Sequence, residues 1–145
     1  MASFRAKSLH RSTEATVPDN DRYGYSASGA PSYMALKDEI LEAWNEDEAP
    51  VSLLDEFLDA LNAGDVRAAE KRDGEWHANE WVKKGILLNF SVRENRALEY
   101  GGVEYHDKFD LKDTSGFLET GTRNTPDGTT IRDGAYVGES VIMMS

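Results

Sequence analysis

Thr125-Pro-Asp-Gly-Thr-Thr-Ile131-Arg-Asp-Gly-Ala-Tyr-Val137-Gly-Glu-Ser-Val-Ile-Met143-Met-Ser145 is the stretch on which the fold turns. Thr125, Ile131, Val137 and Met143 are spaced by six, and Thr129, Ala135 and Val141 each follow a register position by four. That spacing suits a left-handed parallel β-helix, in which each hexad forms one flat side of a triangular coil and three hexads close a turn. About one coil is written here. Such a coil cannot bury its inner face alone, because neighbouring coils satisfy its backbone and cover its apolar side chains. The beat nevertheless stops at Val141-Ile-Met-Met-Ser145, so the sequence is expected to be the front part of a longer protein, truncated in its first coil.

Composition narrows the rest. With 16 Lys+Arg against 27 Asp+Glu, the chain lacks the cation excess that nucleic-acid binding needs, and no nucleic-acid partner is expected. Cysteine is absent, which removes disulfides, thiolate metal sites and a cysteine nucleophile together. No stretch approaches the roughly 18 apolar residues of a membrane span, and no signal-peptide core follows the first basic residues. The expected location is cytoplasmic, with no membrane partner. Arg5, Lys7 and Arg11 among Ser3, Ser8 and Ser12 give only a faint transit-peptide pattern.

Working back from the hexads, residues 1–32 are poor in aliphatic residues and broken by Pro18 and Pro31, and are expected to form a flexible tail. Residues 33–120 are expected to form an N-terminal α/β domain, and residues 121–145 the start of the left-handed β-helix. Ser32 can cap a helix over Tyr33 to Asp47, where Leu36, Ile40, Ala43 and Trp44 recur at helical spacing. A second helix aligns Val51, Leu54, Leu58 and Leu61, with Phe57 alongside, and ends at Ala63-Gly64, where glycine suits a left-handed C-terminal residue. Asp73-Gly74 between short extended segments signals a hairpin. Asn79 can cap a third helix carrying Trp81, Val82, Gly85, Ile86 and Leu88. Phe90 and Val92, a turn at Glu94-Asn95, then Leu98 and Tyr100 predict a second hairpin. The fold class is thus an α+β N-terminal domain, with three helices and two hairpins, leading into the first coil of a left-handed parallel β-helix.

Two of these segments carry a family resemblance. Leu61-Asn-Ala-Gly-Asp-Val-Arg-Ala-Ala-Glu-Lys-Arg-Asp-Gly-Glu-Trp76, followed by Asn79-Glu-Trp-Val-Lys-Lys-Gly-Ile-Leu-Leu-Asn-Phe90, resembles the tetrahydrodipicolinate N-succinyltransferases. Tyr105-His-Asp-Lys108, Gly121-Thr-Arg-Asn-Thr-Pro126 and Ile131-Arg-Asp-Gly-Ala-Tyr136 are similar to later segments of that family. The likeness covers about residues 33–145. It departs from the family pattern in the tail, in one extra residue between Thr125 and Ile131, and at Met143-Met-Ser145 in place of Met-Pro-Ser.

The resemblance implies transfer of a succinyl group from succinyl-CoA, as co-substrate, to the amino group of ring-opened tetrahydrodipicolinate in lysine and diaminopimelate biosynthesis. It also implies a homotrimer whose catalytic acids lie on later coils between subunits. No catalytic residue and no bound cofactor is therefore expected in these residues, and the chain by itself is expected to be inactive. Arg123 matches the family's Gly-x-Arg-x-x-Pro arginine, which implies substrate binding, since a guanidinium can grip a carboxylate with two hydrogen bonds. An exposed loop arginine is the plainer alternative.

Other candidates weigh less. Lys83 and Lys84 could attract CoA phosphates but match an ordinary solvated helix face. His106 and Asp107 are neighbours in an extended segment and should point to opposite faces. His77 has no metal-ligand spacing to His10 or His106, so no metal is expected. Trp44, Trp76 and Trp81 are expected in the core, and Gly101-Gly102 is expected to be a turn. Two further functions fit the same pattern: a non-catalytic binding or assembly module whose exposed hexad docks on a partner, or an acyltransferase using acetyl-CoA.

Overall fold

The computed structural model describes residues 30–126 and 129–144. The expected tail up to residue 29, including His10, lies outside the described residues, as do Asp127, Gly128 and Ser145. Helix α1 spans Ala30–Glu46, so it begins before the expected Ser32 cap. Pro31 falls in its first turn, where the backbone N–H groups have no intrahelical partner and a proline forfeits no bond. The helix stops at Asp47, whose φ of 54° is left-handed.

Helix α2, Val51–Ala63, follows after four residues. It ends as its sequence suggests: Gly64 has φ 78° and donates to Leu61 O at 3.0 Å, while Asp65 and Val66 N–H both return to Ala60 O. The apolar stripe is buried through Leu54, Phe57, Leu58 and Leu61, but Val51, the first residue of the helix, is exposed. Leu36, Ile40 and Ala43 of α1 meet this stripe and are themselves buried.

Strands β1 (Ala69–Arg72) and β2 (Glu75–Ala78) form the first hairpin, with Arg72 opposite Glu75. Asp73 and Gly74 take φ of 51° and 86°, the pair of positive values that a two-residue hairpin loop matched to strand twist requires. The hairpin does not join the core. Trp76 is 71% exposed, correcting its expected place, because among the described residues no element packs over this ribbon.

Helix α3 runs Glu80–Val92 and closes the helical core with Val82 and Leu88. Asn79 stands at its N-cap position without making a capping bond. Its amide instead donates to Arg67 O at 2.8 Å and accepts from Arg72, so it ties the hairpin's base rather than the helix. The helix also consumes Phe90 and Val92, which the alternation had suggested were a strand. Three residues cannot separate a period of 2 from one of 3.6, and tertiary contacts decide. Phe90 meets Phe109 edge-to-face at 4.7 Å, and the fully buried Asn89 amide donates to Gly85 O while accepting from Arg93.

The second hairpin therefore lies further on. Strands β3 (Arg96–Tyr100) and β4 (Val103–Asp107) pair with Tyr100 opposite Val103, and the expected Gly101-Gly102 turn, with φ of 58° and 79°, connects them. After a 3-10 turn at Ser115–Phe117 come two short strands, β5 (Arg123–Asn124) and β6 (Ile142–Met143), paired in parallel. Three helices and two antiparallel hairpins thus make an α+β domain, as the sequence suggested.

The parallel pair departs from the six-residue register. Met143 lies beside Asn124, not Thr125, so the strand returns after nineteen residues, one more than three hexads supply. The beat is only partly reflected in burial. Thr125, Ile131, Val137 and Met143 are half-buried, but so are Asp133, Gly134 and Gly138 between them, and Val141 is exposed.

Candidate functional site

The region around Arg123 is assembled by backbone geometry. Gly121, at φ 68°, turns the chain, and the buried Thr122 is held on both sides. Its N–H donates to Phe117 O at 2.8 Å and its hydroxyl to Gly138 O at 3.2 Å. Arg123 N–H then donates to Val141 O at 2.8 Å, and Thr125 N–H to Met143 O at 3.2 Å. The backbone at Arg123 is thereby fixed while its side chain is exposed.

The described arginines differ in what they hold. Arg67 donates to Gly64 O and lies over the Tyr136 ring; Arg72 pairs with Glu70, Arg93 with Asp55, Arg96 with Asp110 and Arg132 with Asp107. Arg123 alone among the six described arginines has no side-chain hydrogen bond, ion pair or ring contact. A guanidinium held at a fixed point on the backbone and uncommitted to any internal acid can receive an external anion.

Next to β5, a groove of about 880 Å³ separates the second hairpin from the hexads, with Tyr100, Tyr105, Leu111, Thr114, Asn124 and Thr129 on its walls. Thr125 also lines it and carries the only buried side-chain polar atom without a partner among the described residues. At one rim, Asp113 accepts from Ser115 N–H at 2.9 Å, and hydrogen bonding to Ser115 draws its carboxyl below the usual value. Asp110 lies beneath the hairpin. Desolvation pushes its carboxyl up, but hydrogen bonds from Arg96 and Tyr100, with the charges of Arg96 and Arg93, outweigh this and hold it below the ordinary range.

The remaining candidates are dispersed. His106 meets Glu104 at 3.0 Å while Asp107 accepts from Arg132, so the two neighbours serve separate contacts. Lys83 is exposed, and Lys84 lies 5.9 Å from the Trp44 ring centroid. His77 stands opposite Glu70 on the exposed hairpin. Trp44 and Trp81 pack against the helical core, Trp81 edge-to-face with Phe57 at 5.9 Å. Among the described residues no cluster of His, Asp or Glu could hold a metal, and no helix is long and apolar enough to cross a membrane.

Sequence reasoning missed the junction between the helical domain and the hexads. Asn62, at the end of α2, accepts from Lys112 Nζ and from Gly134 N–H, each at 2.9 Å, and its amide donates to Asp133. Beside it the Tyr136 ring lies on Gly64, where a Cβ would come within 2.5 Å of the ring. Arg67 covers that ring 3.9 Å from its centroid. An asparagine near a helix end is also a common solvated residue, so only the 71-residue separation of its partners reveals the role.

A small α+β domain strapped to a parallel strand pair, with one uncommitted arginine on that pair, is the class of protein that the geometry defines. Comparison with known proteins shows what it is similar to. Residues 35–92 match the family model described as Tetrahydrodipicolinate N-succinyltransferase N-terminal. Proteins named 2,3,4,5-tetrahydropyridine-2,6-dicarboxylate N-succinyltransferase are similar as well. The one from Dechloromonas aromatica is 37% identical over 98 residues, 65% of this chain and 36% of the relative. That of Actinobacillus succinogenes is 35% identical over 102 residues, 68% of this chain and 37% of the relative. The Pseudoalteromonas translucida protein is 36% identical over 122 residues, 75% of this chain and 44% of the relative. Residues 35–92 are thus similar to the N-terminal domain of the tetrahydrodipicolinate N-succinyltransferases, and the chain spans 36–44% of the length of these three relatives.

Proposed function

We propose that these residues form the N-terminal portion of an acyltransferase that moves a succinyl group from succinyl-CoA to the amino group of tetrahydrodipicolinate, in lysine and diaminopimelate biosynthesis. The observation that carries this reading is the match of residues 35–92 to the family's N-terminal domain, continued by relatives that share one name. In this reading residues 33–120 are the N-terminal domain, and residues 121–145 begin a left-handed β-helix in a cytoplasmic homotrimer. The half-buried hexad positions and the parallel β5–β6 pair support that continuation.

Arg123 is the substrate-binding residue of the proposal. The substrate is a dicarboxylate, and an uncommitted guanidinium on a fixed strand suits one of its carboxylates. Attack of the amine on the thioester needs a base for the departing proton and a donor for the oxyanion. Both are assigned to later coils, so the 145-residue chain alone should release no thiol from succinyl-CoA in the presence of tetrahydrodipicolinate. Thiol release that depends on that acceptor would overturn this assignment.

The test of Arg123 is the Arg123→Lys variant in a chain that also carries the further coils. A hydrogen bond to a charged group contributes about 1.5–3 kcal/mol, so the KM for the dicarboxylate should rise about tenfold or more, with little change for succinyl-CoA. Equal KM values in wild type and variant would remove the arginine from the site.

A further inference from the structure

We infer that Asn62 is a positioning residue for the Arg123 strand, acting through the strap formed by residues 133–141; its consequence for dicarboxylate binding rests on the reading of Arg123 given above. The strap is held at both ends. At its start, Asp133 accepts from the Asn62 amide and Gly134 N–H donates to Asn62 Oδ1, while Tyr136 lies between Gly64 and Arg67. At its end, Gly138 O accepts from Thr122, Ser140 N–H donates to Thr120 O at 3.0 Å, and Val141 O accepts from Arg123 N–H.

The Asn62 amide thus joins the Tyr136 contact in linking α2 to the strap, and it uses both acceptor sites of its oxygen and one of its two N–H donors. Its oxygen takes two donors from separate segments, Lys112 and Gly134, and its nitrogen gives to a third residue, Asp133. Gly134 is fitted to this place: its φ is 89°, and a Cβ there would lie 2.8 Å from Leu58 Cδ2. The bridge of Leu111 to Arg132, just before the strap, and the bond from Asp133 N–H to Asp110 O hold the strap's start independently, so loss of Asn62 should loosen the strap rather than unfold the domain.

The experiment is hydrogen exchange on the 145-residue chain with two variants. In Asn62→Ala the amides of Arg123 and Thr125 should lose at least about tenfold in protection, while those of Leu54 and Leu58 in α2 keep theirs. Asn62→Asp combined with Asp133→Asn exchanges donor for acceptor and preserves both contacts to Lys112 and Gly134, so it should restore protection. Unchanged protection at Arg123 and Thr125 in Asn62→Ala overturns the inference. So does failure of the exchanged pair to restore protection when α2 remains folded.

A second arm follows the backbone N–H signals of Asn124 and Thr125 by NMR during titration with pyridine-2,6-dicarboxylate, a readout present in every variant. Wild type should bind more tightly than Asn62→Ala by about tenfold to a hundredfold, the scale expected when a binding group is displaced by about 1 Å. Equal affinity in the two, with Arg123→Lys weaker than both, overturns the positioning role. A titration that is indifferent to Arg123→Lys instead sinks the Arg123 assignment, and the protection data still support Asn62 as the anchor of that strand.

Discussion

Gly85→Ala sets two effects of similar size against each other. Gly85 lies within α3, where replacing glycine by alanine ordinarily stabilises a helix by about 1 kcal/mol. The site is not an open helix surface. A Cβ there would lie 2.6 Å from Phe57 Cζ and 2.9 Å from Cε2, well inside the roughly 3.5 Å at which carbon atoms attract. Phe57 cannot swing into solvent, because it is fully buried and meets Trp81 edge-to-face at 5.9 Å. The ring must therefore move by about 1 Å within a packed core, and overpacking of this kind costs about 1–3 kcal/mol. The expected net result is destabilisation by about 1 kcal/mol, read as a lower urea midpoint at unchanged slope and a Tm lower by about 4–8 °C. Phe57→Leu removes the ring atoms that the methyl group would strike. In that background Gly85→Ala should be stabilising, so the two substitutions should couple by more than about 1 kcal/mol in a double-mutant cycle. A Gly85→Ala protein more stable than wild type would refute the close approach of α3 to α2 through this pair.

Three further outcomes follow. Trp76→Ala should change stability by no more than about 0.5 kcal/mol, as for other exposed positions, whereas Trp81→Ala should cost at least about 2 kcal/mol; chemical denaturation of both compares them. Gly74→Ala places a side chain at a left-handed position and should cost about 1 kcal/mol, with NMR shift changes confined to the first hairpin. The lowered Asp110 pKa means that the folded state holds its proton less tightly than the unfolded chain. Its contribution is therefore present above the unfolded value near pH 4 and is lost as pH falls through the folded value. Asp110→Asn should flatten the pH dependence of stability below about pH 4, and an unchanged slope would show that Arg96 and Tyr100 do not hold the carboxylate.

Much of the fold was legible because local signals agreed with burial. The α2 stripe and Gly64, the Asp73-Gly74 loop and the Leu36, Ile40, Ala43 face each depend on neighbours a few residues away, and each forms as its pattern suggests. The misreadings lie where a distant partner decides. Phe90 and Val92 alternate like a strand, yet Phe109 and the buried Asn89 keep them helical. Trp76 has the composition of a core residue, yet no element among the described residues covers the hairpin.

The sequence by itself determined the helical core, the turn positions, the six-residue beat and the family likeness, including the arginine that precedes the beat. Those depend on spacing and on residue chemistry, which a linear string records. Only the tertiary structure decided that Arg123 is the uncommitted arginine among those described, that its strand pairs nineteen residues on, and that Asn62 fastens the strap behind it. Each of these depends on which groups from remote segments reach hydrogen-bond distance, and nothing in local periodicity encodes a contact across 71 residues.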